Sequence, residues 1–347
     1  MFSIVTTQDI LEKLYLDDSV WGNIVKQTKC FYVKLESDWW EDGDDTPLML
    51  LSNSQADIKD GKDIFNDLEK HPEVIAKYPS SVFILDIDVN EAARLQQKFG
   101  VIVQSSQHLD DAILTAVSQK NIYTEEGDTN IGWSDVFKGI RDIPVNSIII
   151  NDRNLFTNDQ IIKDANGNVM KNHLSGVDNV ASILNTILPR TLDIPFHILI
   201  VCDKAGIENH LTVKNVIKYL NSLKKQLSRP YVINMELLAV SNQSSLYAST
   251  HNRRILTNYA FLTFDHKINA FDGRRSRVSQ MITVNKLFSH GDILEPSPFV
   301  KAHNRAIKDL HEYAEYVNQH PTLSEHEFAK NGIAGQKFNE TEHRMIV

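Results

Sequence analysis

Short, largely apolar runs recur along the chain: SVFIL at 81–85, VIV at 101–103, VNSIII at 145–150, FHILIVC at 196–202 and MELLAV at 235–240. Each is too short for a core helix and too continuous for a strand with one wet face. That pattern fits strands covered on both faces, as in a parallel sheet. Between them lie segments with helical spacing. Asn90–Phe99 is closed by Gly100, a good helix-terminating residue. Val177, Val180, Ile183, Leu184 and Ile187 share a face and stop at Pro189. Thr212 can cap a helix reaching about Leu227, with Val216, Ile217, Leu220 and Leu223 on one side. Strands alternating with helices predict an α/β fold.

The pattern divides the chain into an α/β domain over 1–120 and a second over 144–320. Residues 121–143 are polar and turn-rich and read as a linker, and residues 321–347 as a polar tail. In the first part, DILEKLYL after Thr7 is a helix and Phe31–Leu35 a strand. Glu36–Asp45 is an acidic loop holding Trp39 and Trp40. Pro47–Ser52 reads as a strand, Asp63–Tyr78 as a helix and His108–Gln119 as another. In the second part, Asn166-Gly167 marks a hairpin, Arg254–Phe264 is one strand or a hairpin arm, and Ala302–Gln319 is a last helix.

Composition excludes several classes. With 42% apolar and 23% charged residues over 347 positions, the chain can bury a core and is not disordered throughout. No apolar run approaches the roughly 18–20 residues that span a bilayer, and the first residues do not read as a signal peptide. Two cysteines, Cys30 and Cys202, make neither a disulfide framework nor a cysteine zinc site, so a cytoplasmic protein is expected. There is no Walker-type or G-x-G-x-x-G loop.

Charge is unevenly spread. Residues 1–140 carry 12 basic and 25 acidic side chains, whereas residues 251–290 carry seven and two. A basic segment in an acidic protein is a place to look for a phosphate-bearing partner, and the acidic residues 1–120 for a protein partner.

Within the basic segment, His251, Arg253 and Asn258 have the spacing H-x-R-x4-N. This resembles the H-x-K-x4-D signature of the phospholipase D-like superfamily, with Arg for Lys and Asn for Asp. The upstream order of FHILIVCDK, the 212–227 helix and YVINMELLAVS matches the strand-helix-strand unit that precedes the signature in that family. The resemblance covers about residues 145–290, one repeat's length. It implies that His251 attacks phosphorus and forms a phosphohistidine, that Arg253 neutralises the phosphoryl oxygens, and that Asn258 gives polar support without the family's negative charge. No metal or other cofactor is implied. The family's Gly-Ser-x-Asn-like segment is replaced here by Ala260–Asp265. A second signature is absent, since His303, Arg305 and Asp309 miss the spacing by one residue. An active enzyme of this kind would be a homodimer with two His251 side chains meeting at the twofold axis.

Around the signature, Arg254, Lys267, Arg274, Arg275 and Arg277 can form a phosphate-contacting rim, with nucleic acid as the most economical partner. Tyr259, Phe261 and Phe264 interleave with them and read first as core. The expectation is a phosphodiesterase or nuclease; a bacterial defence setting is consistent with one, though no residue argues for it. Two alternatives stay open. One is a non-catalytic nucleic-acid-binding or interaction module that keeps the fold. The other is a metal nuclease resembling the PIN fold, with Asp152, Asp203, Glu236 and Asp265 at strand ends holding Mg²⁺ or Mn²⁺. Asp86-Ile87-Asp88 looks like the first motif of haloacid dehalogenase-like phosphatases but has Asn90 where Thr or Val belongs, and reads as a strand-end loop. The C-terminal histidines (His303, His311, His320, His326, His343) have no ligand spacing and read as exposed.

Overall fold

A computed structural model describes residues 2–36, 46–112, 120–166, 168–208, 211–241, 253–286, 305–312, 315 and 327–346. The α/β expectation is met by two sheets. The first holds β1 (Ser3–Thr7), β2 (Cys30–Lys34), β3 (Asp57–Asp60), β4 (Ser81–Leu85) and β5 (Ile102–Ser105), in the order β3-β2-β1-β4-β5. All four pairings are parallel. Helices α1 (Gln8–Leu16), α2 (Val20–Gln27), α3 (Pro47–Asn53), α4 (Lys62–Lys70) and α5 (Val89–Phe99) make the connections.

Two local readings change here. Pro47–Ser52 is a helix and not a strand. The Thr46 hydroxyl accepts from Met49 N, and Pro47 in the first turn loses no bond a helix would have made. The missed strand is β3, whose sequence DIKD lacks an apolar pattern because it is the exposed sheet edge. Asp88 caps α5 by accepting from Asn90 N and Glu91 N, as a strand-end loop should. The acidic loop from residue 37 and the helix expected beyond residue 112 lie outside the described residues.

The second sheet has nine strands among the described residues, in the order β18 (Ile333–Gln336), β17 (Glu327–Lys330), β11 (Ile233–Val240), β10 (Phe196–Asp203), β7 (Ser147–Asn151), β12 (Arg254–Thr257), β13 (Ala260–Phe264), β16 (Gln280–Lys286) and β6 (Lys120–Thr124). Its centre is parallel: β7 (Ser147–Asn151), β10 (Phe196–Asp203) and β11 (Ile233–Val240). Every residue of β10 is buried because both faces are covered. Ile198, Ile200 and Cys202 face the main apolar cluster with α7 (Ser175–Ile187) and α8 (Val213–Gln226), while Leu199 and Val201 face a smaller cluster with Ala306, Ile307, Leu310, Phe338 and Met345. β8 (Gln160–Lys163) and β9 (Val169–His173) form the hairpin foreseen at Asn166-Gly167.

The antiparallel flanks overturn two boundaries. The supposed linker supplies β6 (Lys120–Thr124), which pairs with β16 (Gln280–Lys286), and α6 (Trp133–Val136), which buries Trp133 and Val136. The supposed tail supplies β17 (Glu327–Lys330) and β18 (Ile333–Gln336), and β17 extends the sheet beside β11. Both segments are polar by composition, yet a few anchors (Trp133, Phe328, Phe338) suffice to dock them.

The two sheets share one continuous apolar cluster. Polar groups fix the seam. The Tyr259 hydroxyl donates to Ser81 O and accepts from Ile102 N, and Asn146 Nδ2 donates to Phe99 O. Gly100 closes α5 in a left-handed conformation with φ of 60°, where a Cβ would lie 2.5 Å from Val145 O. No described helix is long and apolar enough to cross a membrane.

Candidate functional site

β12 (Arg254–Thr257) pairs antiparallel with β7, setting Arg254 opposite Asn151. The start of β12 therefore meets the end of β7, and Arg253 arrives beside Asp152. The Arg253 Nε lies 3.9 Å from Asp152 Oδ1, and its Nη1 donates to Asp265 O at 3.0 Å. Asp265 follows β13 (Ala260–Phe264), the other arm of the hairpin. A guanidinium is thus held from two sides at the carboxyl ends of the central parallel strands, where open α/β sheets place ligands. It is about a quarter exposed (24%), so part of its fork is presented outward.

Asp152 is fully buried and does more than face Arg253. Its Oδ2 accepts from Ile268 N at 2.7 Å and its Oδ1 from Asn154 N at 2.9 Å. Burial pushes its carboxyl above the usual range; those two N–H groups, Arg253 and Lys267 oppose the shift. Through Ile268, Asp152 fixes the start of the loop that carries Lys267. Gln280 holds the same loop by accepting from Lys267 N (3.1 Å) and donating to Lys267 O (3.0 Å).

Farther along this loop, a buried polar network does the same. Asn179 of α7 donates to Asn269 Oδ1 and Phe271 O, and accepts from Trp133 Nε1 and Phe271 N. Asp159 accepts from Gly176 N, Val177 N and the Ser175 hydroxyl, and burial pushes its pKa up to about 6. Sequence reading missed this network. Polar residues on a helix face look like solvent face until the loop that covers them is known. The Asn within the otherwise apolar stripe of α7 was the available signal.

The expected residues separate into groups. Arg253, Lys267, Asp152 and Asp265 gather at one strand-end region. His251 lies outside the described residues, two positions before Arg253. Arg254, the next residue along, points to the opposite face, as strand alternation requires. It is buried; desolvation holds its guanidinium below its usual range, and Asp309 on helical residues 305–312 counters this. Arg274 donates to Asn130 O and reaches Asp135 Oδ2 at 3.3 Å. Arg277 pairs with Asp272 at 3.4 Å and donates to Phe271 O. Arg275 is exposed on the short hairpin of β14 (Phe271–Asp272) and β15 (Arg275–Ser276). The rim is therefore not one patch: Arg254 faces away, and Arg274 and Arg277 already have partners.

Asn258 requires a correction. It sits past the far end of β12, about 16 Å from Arg253 at roughly 3.3 Å per strand residue, and is completely buried. Its Oδ1 accepts from Asn146 N, Ser147 N and the Ser147 hydroxyl. Its Nδ2 donates to Pro79 O, Gly100 O and Asn146 Oδ1. Asn258 joins the two sheets and does not touch anything bound beside Arg253.

The strand-end carboxylates also divide. Asp152 and Asp203 end neighbouring strands, linked through Asp152 N to Val201 O and Asp203 N to Arg153 O. Glu236 is in the middle of β11, opposite Leu199, and binds the Thr341 hydroxyl and Glu342 N. Asp265 is exposed. Among the described residues no group of three or more His, Cys, Asp or Glu side chains could hold a metal ion. Tyr259, Phe261 and Phe264 are buried as core, in line with the first reading of them. His343 reverses the expectation of exposure: it is buried beside His197, with ring centroids 6.1 Å apart, and its Nε2 meets Ile148 O at 3.0 Å. His303, His320 and His326 lie outside the described residues.

No family model matches the chain, and no curated protein matches it.

Proposed function

We propose that the chain acts on phosphodiesters in a phospholipase D-like manner, with nucleic acid as substrate, His251 as nucleophile and Arg253 as the phosphate clamp. The observation that supports this most is the placing of Arg253. A partly exposed guanidinium, steadied by Asp152 and the Asp265 carbonyl, stands at the carboxyl ends of β7 and β10, two residues from a histidine. A guanidinium fixed before substrate arrives stabilises developing phosphoryl charge without reorganising. A neutral imidazole attacks phosphorus at neutral pH. The bond to the leaving oxygen breaks as the N–P bond forms, with the second His251 giving that oxygen its proton; water, giving a proton back to the second His251, then attacks the phosphohistidine to release the phosphate ester and free the first His251. Asp152 is a positioning residue here, because it holds Arg253 and the Lys267 loop. Asn258 has no part in the chemistry. A homodimer bringing two His251 side chains together completes the site in this reading.

The test is hydrolysis of bis(p-nitrophenyl) phosphate and of single- and double-stranded DNA and RNA by the purified chain. Replacing His251 with Ala, or Arg253 with Ala, should lower turnover by at least about 100-fold with an unchanged circular dichroism spectrum and melting temperature. EDTA should leave the rate unaltered. Full activity in H251A, or loss of activity on chelation, overturns the proposal.

A further inference from the structure

A second site lies at the opposite, amino-terminal end of the first sheet, where residues 344–345 and helical residues 307 and 311 close over the starts of β1, β2 and β4. They enclose a cavity of about 280 Å³. Three of its lining side chains are cations, namely Lys59, Lys77 and Arg344, and no carboxylate lines it among the described residues. This is not what the surrounding composition produces, since residues 1–140 carry roughly twice as many acidic as basic side chains.

The cations are only partly satisfied from within. Lys77 is exposed and makes no ion pair among the described residues. Lys59 meets Asp57 at 3.2 Å and stands 5.3 Å from the Tyr32 ring centroid. Arg344 is half-buried and donates Nη1 to Pro195 O at 2.8 Å; burial alone pushes its pKa down to about 10, which leaves it charged at neutral pH. Concentrating three positive charges around one cavity raises the free energy of the empty protein, and an anion relieves that repulsion. Beside the cations, Tyr32 and Tyr78 meet edge to face at 5.2 Å and 63°, giving the cavity an aromatic wall.

We propose that this cavity binds a small phosphate monoester carrying a planar ring, of mononucleotide size. The volume falls just below the roughly 300–1,000 Å³ usual for small-molecule sites, which suits one compact ligand. The phosphate lies among Lys59, Lys77 and Arg344, and the ring against Tyr32 and Tyr78. Because its walls come from the first sheet and from the C-terminal segment, the ligand bridges the two. The site is separate from Arg253 and does not depend on phosphodiester cleavage.

Isothermal titration calorimetry of the full chain with adenosine 5′-monophosphate, adenosine and inorganic phosphate tests it. The monophosphate should bind, adenosine should bind at least about tenfold more weakly, and inorganic phosphate more weakly than the ester. The double variant K59Q/K77Q alters two exposed positions, so it should keep the ligand-free melting temperature while losing at least about tenfold in affinity for the monophosphate. Absence of monophosphate binding, equal affinity for adenosine, or unchanged affinity in K59Q/K77Q each overturns the proposal. Equal affinity for inorganic phosphate overturns the ester and names free phosphate as the ligand.

Discussion

Changing Asn258 to Asp separates a catalytic role for this position from a structural one. If a carboxylate were wanted here for chemistry, restoring it would raise phosphodiesterase activity. The structure predicts damage instead. Nδ2 of Asn258 donates to Pro79 O at 2.6 Å and to Gly100 O at 3.3 Å. An Asp oxygen in its place faces both carbonyls and Asn146 Oδ1 with no proton to share, in a fully buried setting. Each carbonyl left unpaired costs about 1–3 kcal/mol, so with two of them N258D should lose roughly 2–6 kcal/mol at pH 7. With a urea dependence of about 3 kcal/mol/M, the midpoint falls by about 1 M, readable by circular dichroism. The pH dependence has a definite sign. Burial beside carbonyls raises the folded-state pKa of the new carboxyl above its unfolded value near 3.9. The protonated form can donate to Pro79 O, so the deficit is smallest below about pH 4 and grows as pH rises through the folded pKa. Wild-type stability at pH 7 in N258D, or a gain in activity, refutes the reasoning.

Other outcomes follow from the packing. Gly176→Ala places a Cβ 2.3 Å from Leu155 O and 2.7 Å from Phe156 Cδ1, so the melting temperature should drop by an amount equivalent to about 3 kcal/mol or more. Burial pushes both His197 and His343 down to about 3. A histidine depressed on folding gives stability that is present above pH 6.5 and lost as pH falls toward the folded pKa. Urea titrations between pH 7 and pH 4.5 should therefore show stability falling by up to about 1.4 kcal/mol per pH unit for each histidine. The variant H343Q should flatten that slope; an unchanged slope would show that His343 is not the group responsible.

Much of the architecture was legible because parallel strands announce themselves. FHILIVC and SVFILD carry no polar alternation, and Gly100 and Thr212 mark helix ends by local chemistry that tertiary structure did not override. The errors share a cause. Lys120–Thr124 and Glu327–Lys330 are strands that owe their pairing to a neighbour far along the chain, and DIKD is an edge, so none had to be apolar throughout. The site was partly legible. Arg253 was found by spacing, and Asp152 and Asp265 only as metal ligands in a rival reading, not as what steadies it. Asn258 was assigned from spacing alone. Spacing along a strand measures how far apart two residues are, and five residues put Asn258 at the other end of the sheet.

The late pairing of β17 with β11 has a consequence for how the molecule is made. Until residues 327–330 emerge from the ribosome, β11 presents eight residues with one open row of amide and carbonyl groups. The apolar surface of Leu199, Val201 and Leu238 lacks the cover that Phe338, Met345 and Ile346 later provide. A nascent chain paused before this point is sticky along a bare strand edge, so chaperone demand during synthesis should peak just before residues 327–346 appear.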